Sequence, residues 1–236
     1  MDKQFALLAV TAASIGFIHT LIGPDHYLPF VVMAKAKKWS LSKTAVITFL
    51  CGIGHILGSV VLGFVGIAFG IGIMKIEALE SFRGNLAAWS LIGFGFAYFV
   101  WGLHQAVKNK PHRHLHDHGS DGPHSHEHSH SGGHVHVHED KKKNITPWIL
   151  FTIFVLGPCE PLIPILMYPA AKSSLYGIFY IAGIFGIVTI ATMMTIVLVS
   201  LKGINLLPLN RFERYVHAAA GGTICLSGLA IQALGL

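Results

Sequence analysis

The sequence predicts an all-α membrane protein: six transmembrane helices arranged as two inverted three-helix repeats, with broken first and fourth helices. Three observations predict it. Six long apolar runs carry almost no formal charge, one histidine-rich hydrophilic stretch divides them three and three, and a Gly-Pro step recurs at corresponding points of the two halves. The 236 residues are 53% hydrophobic and 12% charged, with a mean hydropathy of +0.59. A soluble domain carries about twice that charge, near 25%.

The apolar runs are 5–22, 45–73, 86–103, 145–167, 175–201 and 216–236. Each is near or above the roughly 18–20 residues that a helix needs to cross a bilayer core. Hydrocarbon offers backbone groups no water, so helices are the expected spanning form. The alternating ten-residue segments of a transmembrane barrel are not visible. The first run follows a weakly basic start and leads into Gly23-Pro24-Asp25-His26 instead of a small-residue cleavage site, so it is expected to be a retained span and not a signal peptide. The chain thus divides into a first repeat at 1–107, a disordered histidine-rich loop at 108–144 and a second repeat at 145–236.

Basic residues are unevenly shared between the two sides that alternating spans would create. Thirteen fall on one side, in the segments holding Lys35–Lys43, Lys108–Lys143 and Lys202–Arg214, and four on the other: Lys3, Lys75, Arg83 and Lys172. Cytoplasmic loops hold the excess of Lys and Arg. The split predicts a multi-pass protein of the cell membrane, both termini outside and the histidine loop in the cytosol. The charge reports orientation, and no nucleic-acid partner is expected. The three cysteines lie far apart in apolar runs with no C-x-x-C spacing, so no disulfide framework is expected.

Two stretches align without gaps at an offset of 134 residues: GPDHYLPFVVMAKAKKWS from Gly23 and GPCEPLIPILMYPAAKSS from Gly157. They share Gly-Pro, Leu28/Leu162, Met33/Met167, Ala36/Ala170, Lys38/Lys172 and Ser40/Ser174. Three spans per copy is an odd number, so the second copy must be inverted, an architecture common among secondary transporters. Proline removes a backbone donor and clashes with the preceding turn, so each Gly-Pro should break its helix. Ionisable groups follow both breaks: Asp25-His26 in one half, Cys159-Glu160 in the other. An aspartate at the centre of a membrane helix costs roughly 2.5–3.5 kcal/mol on insertion scales, so such groups line cavities or find partners.

His19 and His26 are two helical turns apart and would face one way in a helix continuing through the kink. His55 lies in the second run among Gly52, Gly54, Gly58 and Ser59, a small-residue face suited to close helix contact. The candidate metal ligands are therefore His19, Asp25, His26 and His55, with Cys159 and Glu160 from the second half. Imidazole, carboxylate and thiolate together suit Ni²⁺, Co²⁺ or Zn²⁺, whereas Mg²⁺ and Ca²⁺ prefer oxygen shells. A mutual hydrogen-bond cluster or a metal-free proton relay would use the same residues.

His19 followed by Asp25-His26, with Gly54-His55 in the next run, resembles the nickel/cobalt permease and efflux families. Their broader superfamily also holds urease-associated and sulfite-exporter-type membrane proteins. Five residues separate His19 from Asp25 where the family pattern has four; Asp25, His26 and His55 match it more closely. The resemblance implies divalent-metal transport. The GPCEP step resembles membrane thiol reductases of cytochrome c biogenesis.

Eleven histidines lie between 112 and 138, mostly in H-x-H steps. Such a stretch is too polar to fold alone, and imidazole-rich tracts bind Zn, Ni, Co and Cu ions. In the cytosol it could gather ions for export, buffer them after import or regulate the carrier; capture for export is the simplest use. The expected function is a secondary transporter of a first-row divalent ion, Ni²⁺ or Co²⁺ before Zn²⁺, working in efflux and driven by protons or membrane potential. The metal is substrate, and no tightly bound cofactor is expected. A membrane thiol oxidoreductase is the first alternative, but the repeat partner of Cys159 is Asp25, not a second cysteine. A sulfite-type anion exporter is the other, for which the acidic residues fit poorly. No serine nucleophile motif, H-E-x-x-H or phosphate loop is present, so the chain is not expected to be an enzyme.

Overall fold

The computed structural model describes residues 3–69, 72–108, 112–116, 124–128, 145–159, 161–171, 174–206 and 213–234. The first half runs α1 (Lys3–Ile22), a single 3-10 turn (Pro24–His26), α2 (Leu28–Ala36), α3 (Leu41–Ala68) and α4 (Ile73–Lys108). The second runs α5 (Thr146–Leu156), α6 (Leu162–Ala171), α7 (Leu175–Leu206) and α8 (Val216–Leu234). Between them lie β1 (His112–His116) and β2 (His124–His128), antiparallel, with His112 opposite His128 and His116 opposite His124. The rest of the expected disordered loop lies outside the described residues.

Among the described residues, five helices are long and apolar enough to cross a membrane: α1, α3, α4, α7 and α8. The expected fourth span, 145–167, is two short helices, α5 and α6, on either side of a break. The first span breaks at the corresponding place, between α1 and α2. The cause is the same at both. A residue before proline is pushed out of the helical region, and Gly23 and Gly157 have ψ of 102° and 134°. The third span differs from expectation. Its apolar run starts at 86, but α4 begins at Ile73 and takes in Lys75, Glu77, Glu80 and Arg83. No proline interrupts 73–86, and Glu80 and Arg83 pair one turn apart.

The element boundaries repeat the 134-residue offset: α2 and α6 start at Leu28 and Leu162, α3 and α7 at Leu41 and Leu175. Packing exchanges the halves, since α1 lies on α7, α5 on α3, and α4 on α8. The exterior is apolar. Leu7, Val10, Val199 and Leu226 are each at least 64% exposed, a surface that water would disfavour and lipid accepts. The chain has the architecture of an all-α, multi-pass membrane protein. Three basic segments meet at one end of it: Lys38 Nζ bonds Glu213 at 2.9 Å, Arg214 Nε donates to the Ala106 carbonyl at 2.6 Å, and Lys37 lies 5.5 Å over the Tyr98 ring.

Helices α4 and α8 touch backbone to backbone along Gly95, Gly102 and Gly221. A Cβ at Gly221 would fall on the Phe99 backbone, which cannot rotate away as a side chain can. Gly221→Ala is therefore expected to cost about 1–3 kcal/mol through overpacking, read as a lower thermal midpoint in detergent. Gly93, on α4 itself, has nothing within 4 Å of the place a methyl group would take, and Gly93→Ala should be neutral or slightly stabilising through helix propensity. Equal midpoints for the two variants would contradict the close seam.

Candidate metal centre

Three imidazoles converge at the first break. His19 is on the last turn of α1, His26 in the 3-10 turn, and His55 midway along α3. The His19 and His26 ring centroids are 4.8 Å apart and those of His26 and His55 5.1 Å, each pair edge to face. The seven-residue spacing does bring His19 and His26 together, but not through a continuous helix. The Gly23 amide still donates to the His19 carbonyl at 3.0 Å, and the chain then turns so that His26 folds back over Gly23. A Cβ on Gly23 would lie 2.5 Å from His26 Nδ1, so the bare glycine leaves the room that the folded-back imidazole takes.

The hydrogen bonds assign the tautomer of His26. Its Nδ1 lies 3.1 Å from Asp25 Oδ1 and 3.2 Å from the Gly23 carbonyl oxygen. Both are acceptors, so Nδ1 carries a proton, and in the neutral ring Nε2 is the nitrogen left with a lone pair. That Nε2 has no hydrogen-bond partner, nor does His19 Nε2, and His55, whose ring bonds toward the Phe154 backbone, has a ring nitrogen left without one. His26 and His55 are each 2% exposed. Buried polar atoms without partners cost on the order of 1–3 kcal/mol each, which is the usual mark of a site shaped for something else. One nitrogen from each ring lies within 4.8 Å of the others. A point equidistant from three such atoms is about 2.8 Å from each, and closing to the roughly 2.0–2.1 Å of a metal–imidazole bond takes less than about 1 Å per ring.

Asp25 sits behind His26. A carboxylate bonded to the far nitrogen of a metal-binding histidine fixes its tautomer and raises its basicity. The described geometry gives Asp25 this orienting contact and places it outside the three-nitrogen group. Cys159 also lies outside that group. It is fully buried in an apolar cluster with Ala12, Ile56, Leu162 and Phe185. Glu160 lies outside the described residues.

The two breaks share one cavity of about 370 Å³. His19, Gly23, Asp25 and His26 line it from the first, Pro158 and Pro161 from the second, with Gly84, Ala87, Ala88 and Leu91 of α4 across from them. His55 closes the cluster from the far side, its ring against Gly157, where an added Cβ would lie 3.1 Å from Nδ1. Sequence reasoning missed a second buried group. Glu80, 0% exposed, accepts from Ser59 Oγ at 3.0 Å, from the Cys159 amide at 3.2 Å and from the Arg83 guanidinium. Arg83 also donates to the Val155 carbonyl at 2.8 Å, supplying a donor that the end of α5 lacks. The available signal was Glu-x-x-Arg, one helical turn, just ahead of an apolar run.

No known protein-family profile matches the chain, and neither characterised proteins nor solved structures give a match.

If Asp25 orients His26, Asp25→Asn should weaken divalent-metal binding by about 10–100-fold without abolishing it. His26→Ala, which removes a nitrogen of the cluster itself, should weaken it further. Titration of the purified protein with Ni²⁺ or Zn²⁺ measures both, and wild-type affinity in Asp25→Asn would remove the orienting role.

Proposed function

We propose that the chain is a secondary transporter of a first-row divalent transition-metal ion, Ni²⁺ or Co²⁺ in first place and Zn²⁺ next. The observation that carries this reading is the convergence of three imidazoles, buried or partly so, with free nitrogens from α1, the 3-10 turn and α3, beside a cavity between two broken helices that His19 and His26 line. Imidazole is a good ligand for borderline ions and a poor one for Mg²⁺ or Ca²⁺. The adjacent Asp25 carboxylate gives the neutral rings a negative neighbour, which favours a cation over an anion. Cys51, Cys159 and Cys225 are unpaired thiols, and none belongs to the cluster.

The six-span inverted repeat belongs to the same proposal. Shared element boundaries at one offset and the reciprocal packing of α1 on α7 and α5 on α3 support it. In this reading the clustered basic end faces the cytosol, the histidine segment collects ions there, and transport runs outward. Cysteine or carboxylate ligands from the second half, Cys159 and Glu160, would join only in another state of the cycle.

Proteoliposomes loaded with a metal-sensitive dye and given a pH gradient of either sign test the proposal across Ni²⁺, Co²⁺, Zn²⁺ and Mn²⁺. Movement of the first three above Mn²⁺ is expected. His55→Ala should insert normally, because it removes an unsatisfied group and adds no charge, yet carry metal at a small fraction of the wild-type rate. Wild-type flux in that variant would sink the site. Deleting 112–138 should leave maximal flux largely intact and raise the metal concentration needed for half-maximal rate, because a tethered ligand pool acts through local concentration. Complete loss of flux in a correctly inserted deletion would place essential chemistry in the loop instead.

A further inference from the structure

A second pocket, of about 600 Å³, lies further along the same bundle, lined by Met74, Glu77, Glu80 and Ser81 of α4 with Pro161 and Pro164. Pro161 lines both pockets. On α4 the lining residues form one stripe: Glu77, Glu80/Ser81, Gly84, Ala87/Ala88 and Leu91 recur at the three-to-four spacing of a single helix face. The first part of this stripe carries oxygen side chains and the second is small and apolar. Glu80 lines the second pocket one turn from Gly84, where the first begins, and Arg83 holds Glu80 from behind. Their bonds tie four segments together there: α3 through Ser59, α4 itself, the end of α5 through Val155 and Gly157, and the second break through the Cys159 amide.

We propose that the Glu80–Arg83 pair is the partition between these two pockets: it holds the second break against His55, and an ion leaving the imidazoles along α4 passes only when the pair lets go. This rests on the transport reading above. Both oxygens of Glu80 already accept from donors, Oε2 from two and Oε1 from the guanidinium, so in this state the carboxylate is held by the protein. The guanidinium adds a fixed positive charge that opposes a divalent ion most strongly where water is scarce. Space for it is built in: a Cβ at Gly58 would lie 2.5 Å from Arg83 Nη2, and one at Gly84 would lie 2.8 Å from the Pro158 ring. The pair is a positioning device and not a ligand. A buried ion pair stripped of one partner is strongly destabilising, so the informative variant removes both charges together.

The experiment needs no metal. Ser81→Cys marks the second pocket and Ala87→Cys the first, each in otherwise intact protein in oriented proteoliposomes. A membrane-impermeant thiol reagent is then applied from each face in turn, with the parent protein as control for its own thiols. Ser81→Cys should react from one face, and Ala87→Cys should be protected from that face. Adding Glu80→Gln together with Arg83→Gln should raise labelling of Ala87→Cys from the Ser81 face by about tenfold or more. Arg83→Lys, which keeps the charge and loses the fork, should fall between. Labelling of Ala87→Cys from the Ser81 face in intact protein, or labelling unchanged by the double substitution, would overturn the partition. The intact-protein comparison decides even if the double variant does not fold. Absence of any metal flux alongside the expected labelling would refute the transport reading and leave the partition standing.

Discussion

Everything else in this molecule depends on two helices being unable to continue. A proline pushes its predecessor out of the helical region, and in hydrocarbon the backbone groups released by that interruption find no water. The chain meets the requirement differently at its two breaks. At Gly23 a 3-10 turn follows at once, and His26 bonds back to the Gly23 carbonyl. At Gly157 the partners come from elsewhere: Arg83 caps the carbonyls ending α5, while Ser59 and Glu80 receive the Cys159 amide. One break is satisfied locally and presents imidazoles. The other is satisfied by a charged pair brought from α4.

The polar interior is unevenly satisfied, and the unevenness separates the two groups. Around Glu80 every acceptor has a donor, as a buried charge requires if it is not to cost several kcal/mol. Among the imidazoles, His19 Nε2, His26 Nε2 and a ring nitrogen of His55 have none. A protein able to build the first arrangement has no packing reason to leave the second open. The contrast between a closed polar network and an open one within one bundle is the strongest structural sign of where an ion would sit.

Much of this is legible in the sequence, for identifiable reasons. Apolar run length marks spans because bilayer thickness sets it, and Gly-Pro marks breaks because the proline effect is local. His19, Asp25, His26 and His55 stand out because ionisable groups are rare in such runs. What cannot be read depends on three-dimensional approach. Charge counting starts the third span at Leu86, although Glu80 and Arg83 neutralise each other within the helix and let it start at Ile73. The part played by Glu80 needs the end of α5 to arrive beside α3. Cys159 and Asp25 hold equivalent places after their prolines, and the helices beyond them start at equivalent residues, yet the thiol of Cys159 packs among apolar side chains while Asp25 reaches an imidazole.

The exchange of helices between halves bears on how the chain is made. His55 rests against Gly157 and Phe154, residues synthesised about 100 positions later. At roughly 5–20 residues per second, a ribosome takes on the order of 5–20 s to deliver them. During that interval α1 and α3 are in the bilayer without α7 and α5 to cover them, and the histidines face whatever else the membrane holds. Final assembly therefore cannot proceed one half at a time. The nascent first half must wait, partly hydrated or shielded by the insertion machinery, and the arrival of α5 both completes the bundle and ends that exposure.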